Sequence, residues 1–287
     1  MSIDAANRLR DKYVTVDGLQ VRYIEEGEGH PVILLHGASL GSSADVLRRN
    51  IGPLAEAGFR AISFDQPGFG LSDVPEDHSA GFRKRMMPKF AAALGLEKVA
   101  LVGHSQAGNP AVQLALEMPD RYSHIVVLGT GSLLPPVDTG TADRGAEAQH
   151  RLERRMTASE PTLEDTRKLL QENLYHHELI TPDELQLRHS QSIGRNFRAF
   201  VARTEAGETA PKKEDGKPPL WRRLPDLHVP LLMIFGRNDR AHAADRAAML
   251  KQTYPQLQIH VVNNCKHLVP WDAADEFIRL TVPFLKT

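Results

Sequence analysis

Gly103-His104-Ser105-Gln106-Ala107-Gly108, directly after the apolar run Val99-Ala100-Leu101-Val102, decides how this chain folds. A short β-branched stretch ends in a small residue, then Ser105, then further small residues and the helix-like Ala111-Val112-Gln113-Leu114-Ala115-Leu116. That order describes a strand, a tight turn and a helix, with Ser105 at the turn apex. The turn forces an unfavourable backbone geometry on the serine, so the residues two positions either side, Gly103 and Ala107, must be small. The hydroxyl then projects clear of the sheet beside a helix N-terminus, where anions are favoured. This is a nucleophile elbow, and its partners must come from elsewhere in the chain.

A serine hydroxyl is a poor nucleophile at neutral pH unless a base takes its proton and a third group orients that base. In an alternating strand and helix fold those groups follow later strands, in the chain order Ser, acid, His. Pro230-Leu231-Leu232-Met233-Ile234-Phe235 reads as a strand and runs into Gly236-Arg237-Asn238-Asp239, which puts Asp239 where the acid belongs. Gln258-Ile259-His260-Val261-Val262 is the next strand, and Asn263-Asn264-Cys265-Lys266-His267 follows, which puts His267 where the base belongs. Taken singly, Asp239 is an ordinary loop aspartate and His267 one of 13 histidines; the shared order past strand ends singles them out as a triad with Ser105. An oxyanion hole is the fourth part. Val32-Ile33-Leu34-Leu35 ends in His36-Gly37-Ala38-Ser39, a strand running into a small-residue loop, which nominates the backbone N–H groups of Ala38 and Gln106. His36 reads as structural.

With 35 Lys plus Arg against 36 Asp plus Glu, the net charge of −1 argues against electrostatic attachment to nucleic acid or a membrane. The longest apolar runs are strand-sized, and residues 1–10 carry charges without an apolar core, so no span and no signal peptide is expected. The single Cys265 allows no internal disulfide, agrees with a cytoplasmic location and reads as a core residue. No Cys/His cluster has metal-ligand spacing and no Gly-rich loop suits a dinucleotide, so neither metal nor cofactor is expected.

Eight strands are predicted: Lys12 to Val16, Leu19 to Glu25, Val32 to Leu35, Arg60 to Phe64, Val99 to Val102, His124 to Leu128, Leu231 to Phe235 and Gln258 to Val262. The first two flank Asp17-Gly18, a strong hairpin signal. Helices at Asp45 to Ala57, Phe82 to Leu94, Pro110 to Met118, Ala243 to Tyr254 and Ala273 to Leu285 separate most later strands. The expectation is an α/β fold with a mostly parallel sheet covered on both faces. Between strands six and seven about a hundred residues read as helices instead: Asp143 to Met156, Leu163 to Asn173, Thr181 to Ser192 and Gly194 to Arg203. Thr181, Pro182 and Glu184 predict a capping box, and residues 207–219 a return loop. The division expected is a core domain of residues 1–130 and 226–287 with a helical lid of residues 131–225 over the site.

On these motifs the chain resembles the α/β-hydrolase superfamily along essentially its whole length. More narrowly it resembles the meta-cleavage-product hydrolases, which cut carbon–carbon bonds in ring-opened aromatic catabolites. The likeness is carried by Arg49-Asn50-Ile51-Gly52-Pro53-Leu54, by Asp65-Gln66-Pro67-Gly68-Phe69-Gly70-Leu71-Ser72-Asp73, by Thr181-Pro182-Asp183-Glu184-Leu185-Gln186-Leu187-Arg188, and by Asn264-Cys265-Lys266-His267-Leu268-Val269-Pro270-Trp271. The resemblance implies that Arg188 faces the active site and holds a substrate carboxylate, as a planar guanidinium does well. Ser39 and Trp271 are taken as further substrate contacts, and Asp45 as the nearest polar candidate for the dienol end. The chain departs from the family pattern at Ala38 to Ser43, at Ala107, at Lys266 and at Leu268.

The activity so implied is hydrolysis of a 2-hydroxy-6-oxo-2,4-dienoate by a serine triad. The same machinery also serves a carboxylesterase, lactonase or amidase, and a hydrolase scaffold can serve as a non-enzymatic ligand receptor. Epoxide hydrolases and haloalkane dehalogenases place aspartate at the elbow, where this chain has Ser105. The expected partner is a small-molecule carboxylate, and a homodimer is an allowed assembly.

Overall fold

The computed structural model describes residues 9–137, 155–209 and 216–287. The predicted helix from Asp143 lies outside the described residues except for Arg155 and Met156 at its end, as do residues 210–215 of the expected return loop. Eight strands form one sheet: β1 (Lys12–Val16), β2 (Leu19–Glu26), β3 (His30–Leu35), β4 (Phe59–Phe64), β5 (Val99–His104), β6 (Tyr122–Leu128), β7 (Leu231–Gly236) and β8 (Gln258–Val262). Their order is β1-β2-β4-β3-β5-β6-β7-β8. β1 and β2 run antiparallel through a two-residue turn in which Asp17 and Gly18 both take positive φ, 48° and 82°. That is the geometry an Asp-Gly hairpin requires. From β4 to β8 the pairing is parallel.

The central strands are buried on both faces, so they read as unbroken apolar runs instead of alternating ones. One face packs against α2 (Ala80–Ala93), α3 (Gly108–Glu117) and α7 (Ala243–Thr253), with Phe90, Val112 and Leu250 fully buried there. The other packs against α1 (Arg48–Glu56) and α9 (Ala274–Leu285) through Ile51, Leu54 and Phe277. The two cores cover the sheet on both faces. One predicted helix is broken in the structure: a 3-10 turn at Ala44–Leu47, opened by the Ser43 side chain, precedes α1. The predicted helix from Ala273 forms whole as α9, and a four-residue helix that was not predicted, α8 (Val269–Asp272), precedes it.

Between β6 and β7 lie α4 (Leu163–Asn173), α5 (Pro182–Ser190) and α6 (Arg195–Thr209). Gly207 is still helical, so α6 outlasts the predicted boundary. Leu170, Leu174, Ile180 and Leu185 of this insert pack against Val46, Leu268 and Trp271, at the ends of the core strands. Polar ties reinforce the contact: Gln191 Nε2 donates to Asp45 (2.9 Å), Asn196 to Gly70 O (3.0 Å), and Arg203 to Gly68 O (2.6 Å) while lying over the Phe69 ring. The expected capping box on α5 is half formed. Thr181 accepts from the Glu184 N–H, but the Glu184 carboxylate is taken instead by Arg48 and Arg49 of α1, each at 3.1 Å. A reciprocal box occurs on α4, between Thr162 and Asp165.

Candidate active site

Ser105 sits just past β5 with φ of 56°, in the left-handed region that a non-glycine residue occupies only under constraint. The constraint is visible around it. A Cβ on Gly103 would come within 2.7 Å of Gly108 Cα, and one on Gly37 within 2.9 Å of Ser105 Cβ. Thr130, past β6, donates its hydroxyl to the Ser105 carbonyl at 2.6 Å, a support the sequence reading passed over. β3 and β5 are neighbours in the sheet although β4 intervenes in the chain, so the loops after them open at a topological switch point.

His267 Nε2 lies 2.8 Å from Ser105 Oγ, and His267 Nδ1 lies 3.0 and 3.2 Å from the two Asp239 oxygens. With Nδ1–H donating to Asp239, Nε2 is left as the acceptor for the serine proton. Burial pushes the Asp239 carboxyl upward, but His267, its hydrogen bond and Arg240 outweigh that and hold it below the ordinary value. The three residues therefore form a continuous hydrogen-bonded chain.

His36 and His104 are buried alongside, and both are pushed down to about 3, chiefly by desolvation. His36 Nδ1–H donates to Gly37 O at 2.6 Å, and its Nε2 accepts from the Gln66 N–H at 3.0 Å, which braces the loop that carries Ala38. His104 Nε2–H donates to the His267 carbonyl at 2.9 Å. Both are neutral supports. Cys265 is buried with its thiol pushed up, away from reactivity.

A cavity of about 120 Å³ opens over Ser105 and His267, with Ala38, Ser39, Gln106 and Arg188 in its wall. Arg188, from α5, is 5% exposed and donates through Nη2 to Ser39 Oγ at 2.8 Å. Its Nε and Nη1 have no partner among the described residues. Burial pushes its pKa down to about 10, which still leaves it charged at neutral pH. Leaving a buried charge without a counter-charge is costly, so the arrangement suits an incoming anion.

Two expectations are corrected. Trp271 does not line this cavity: α8 turns its ring beneath the insert, against Leu170 and Leu185 and under Arg49 at 5.0 Å. Asp45 is also turned away, bound by both Arg22 Nη atoms at 3.0 Å and by Gln191. Asn173 and Arg240 do line the cavity and were not singled out, and Leu268, noted only as a departure from the family pattern, lines it too. Arg240, adjacent to Asp239, was the one of these a reading of the acid loop had within reach.

A family model described as alpha/beta hydrolase fold matches residues 30–274. The chain belongs to the α/β-hydrolase fold family. Within it, this α/β-hydrolase groups with the meta-cleavage product hydrolases. It is 33% identical over 269 residues to the 2-hydroxy-6-oxo-6-phenylhexa-2,4-dienoate hydrolase of Comamonas testosteroni, covering 93% of this chain and 91% of that one. To the 2-hydroxy-6-oxononadienedioate/2-hydroxy-6-oxononatrienedioate hydrolase of the same organism it is 32% identical over 282 residues, 96% of each chain. The solved meta-cleavage product hydrolase of Pseudomonas fluorescens IP01 superposes on this α/β-hydrolase with a TM-score of 0.77 at 27% identity, covering 96% and 97% of the two chains. Among the described residues, no group of His, Cys, Asp and Glu is placed to hold a metal, and no helix is long and apolar enough to cross a membrane.

Proposed function

We propose that this α/β-hydrolase cleaves the C5–C6 bond of a 2-hydroxy-6-oxo-2,4-dienoate, with Ser105, His267 and Asp239 as its triad. The observation that carries the reading is Arg188, a buried guanidinium with unpaired donors in the wall of the cavity that holds Ser105 and His267. It would grip the dienoate carboxylate in charge-assisted hydrogen bonds, with Ser39 fixing its orientation. His267, set by Asp239, would move the 2-hydroxyl proton to C5, which makes the C6 ketone electrophilic and C5 a carbon leaving group. Ser105 gives its proton to His267 and attacks C6, and the oxyanion falls to the N–H groups of Ala38 and Gln106. The C5–C6 bond breaks as electrons pass back to the C2 oxygen, and water then releases the acyl group from Ser105. Residues 131–225 act as a lid that keeps bulk water from this sequence.

Arg188→Gln tests the reading. Loss of an interaction of about 2–5 kcal/mol lowers kcat/KM on a dienoate roughly 30-fold to several thousand-fold. Hydrolysis of p-nitrophenyl acetate, which has no carboxylate to hold, falls far less. Equal factors on the two substrates would remove Arg188 from the site and favour ester, lactone or amide hydrolysis instead.

A further inference from the structure

One carboxylate satisfies Arg188, yet the same cavity carries a second guanidinium. Arg240 follows Asp239 on the loop after β7, and its Nη1 donates to Asn173 Oδ1 of α4 at 2.7 Å; both side chains lie in the cavity wall. Among the described residues it forms no ion pair: the adjacent Asp239 carboxylate is committed to His267 and to the Arg240 backbone N–H. Directly beyond it Ala241 and His242 both hold positive φ, 56° and 52°, an uncommon pair of left-handed residues that fixes the course of this loop.

The two arginines flank the nucleophile. Arg188 is tied to Ser39 in the loop after β3, whereas Arg240 stands on the loop after β7. The order β3-β5-β6-β7 separates those strands by three spacings, about 14 Å at roughly 4.8 Å each, and Ser105 rises from β5 between them. A dienoate gripped at C1 by Arg188 with C6 at Ser105 therefore extends its acyl portion toward Arg240.

We propose that Arg240, anchored by Asn173, is a second anion subsite, and that the substrate is a dianion whose acyl portion ends in a carboxylate. The inference rests on assigning Arg188 to the dienoate carboxylate. Relatives with a phenyl tail and with a dioate tail match this chain almost equally, at 33% and 32% identity, so ancestry does not choose between them. The cavity does. Leu169, Leu170 and Leu268 are its large apolar walls, and no Phe, Tyr or Trp lines it among the described residues. A phenyl group there would desolvate Arg240 and add no partner to Asn173 and the nearby Asp239 charge, whereas a carboxylate would pair with its remaining donors. In the balanced reaction water adds its hydroxyl to C6, the 2-hydroxyl proton goes to C5, and the remaining proton of water restores the 2-hydroxyl. The products are a five-carbon hydroxydienoate and a dicarboxylate made from the acyl half.

Calorimetric binding of nonanedioate and nonanoate tests this without requiring turnover. The wild-type protein is expected to bind the dicarboxylate at least about 10-fold more tightly, as one added charge pair allows. Arg240→Gln brings the ratio close to one, and Arg240→Lys retains most of it. Should Arg240→Gln not fold, Asn173→Ala, which frees the guanidinium from its anchor, reads the same ratio. A ratio near one in the wild type, or one that survives these substitutions, overturns the second subsite. Arg188→Gln separates the two readings: it weakens both acids if Arg188 holds the common carboxylate. If it weakens neither, or if neither acid binds the wild type, the dienoate reading and the inference fall together.

Discussion

At the scale of single residues, the triad geometry is set by which partner each polar atom is given. Asp239 takes the Nδ1 proton of His267, which dictates the tautomer whose Nε2 faces Ser105. Asp239→Asn keeps the size of the side chain but can present an N–H to Nδ1, which favours the wrong tautomer. A fall in kcat of about 10²–10⁴ is expected, with an unchanged circular dichroism spectrum. Near wild-type turnover would reassign the acid. These three residues were legible in the sequence because each stands just past a recognisable strand. Trp271 was misplaced for the complementary reason. Four positions after His267 is close in sequence, but a short helix intervenes and turns the ring under the insert. Arg188 was reached through family likeness, since nothing local distinguishes a helix arginine that faces a cavity from one that faces solvent.

At the scale of elements, the insert is sewn to the histidine loop by one carboxylate. Asp272, buried in α8, accepts from the backbone N–H groups of Tyr175 (2.8 Å), His176 (2.9 Å) and Lys266 (2.7 Å). The Leu268 N–H donates to Asn173 O at 3.1 Å, and Lys266 Nζ to Gln171 O at 2.9 Å. Asp272→Asn replaces one acceptor oxygen with a donor and leaves at least one of these part-buried N–H groups without its acceptor, at about 1 kcal/mol. Lower urea stability is expected, together with faster hydrogen exchange at residues 175, 176 and 266 as a set. Unchanged exchange there would show that the turn is held by its apolar packing alone. Strands and helices were readable to within a few residues because burial on both faces, or on one, writes itself into local pattern. The partners of Asp272 and Glu184 were not readable. Glu184 sits at a capping position, and only the approach of α1, some 135 residues earlier in the chain, diverts it to Arg48 and Arg49.

At the scale of the whole molecule, the buried histidines set how stability follows pH. His36 and His104 are held near 3 when folded, against about 6.5 when unfolded. Between those values the unfolded chain binds more protons than the folded one, so each residue makes stability rise with pH across the window. From pH 7 to pH 5 each is expected to remove about 2 kcal/mol of unfolding free energy. His104→Gln retains a donor toward the His267 carbonyl without the titration. Its difference between the two pH values, measured by urea melts, is expected to be smaller than that of the wild type by about 2 kcal/mol; an identical difference would mean His104 does not remain neutral. Arg188 has a molecular consequence of another kind. Held away from water without a counter-charge, it makes the unliganded enzyme the least robust form of the protein. Any carboxylate that settles there acts as a folding ligand and shifts the balance away from the unfolded chains that proteases attack. On the role proposed for Arg188, the enzyme's lifetime in a cell is tied to the supply of its own substrate, and it persists longest when there is work for it to do.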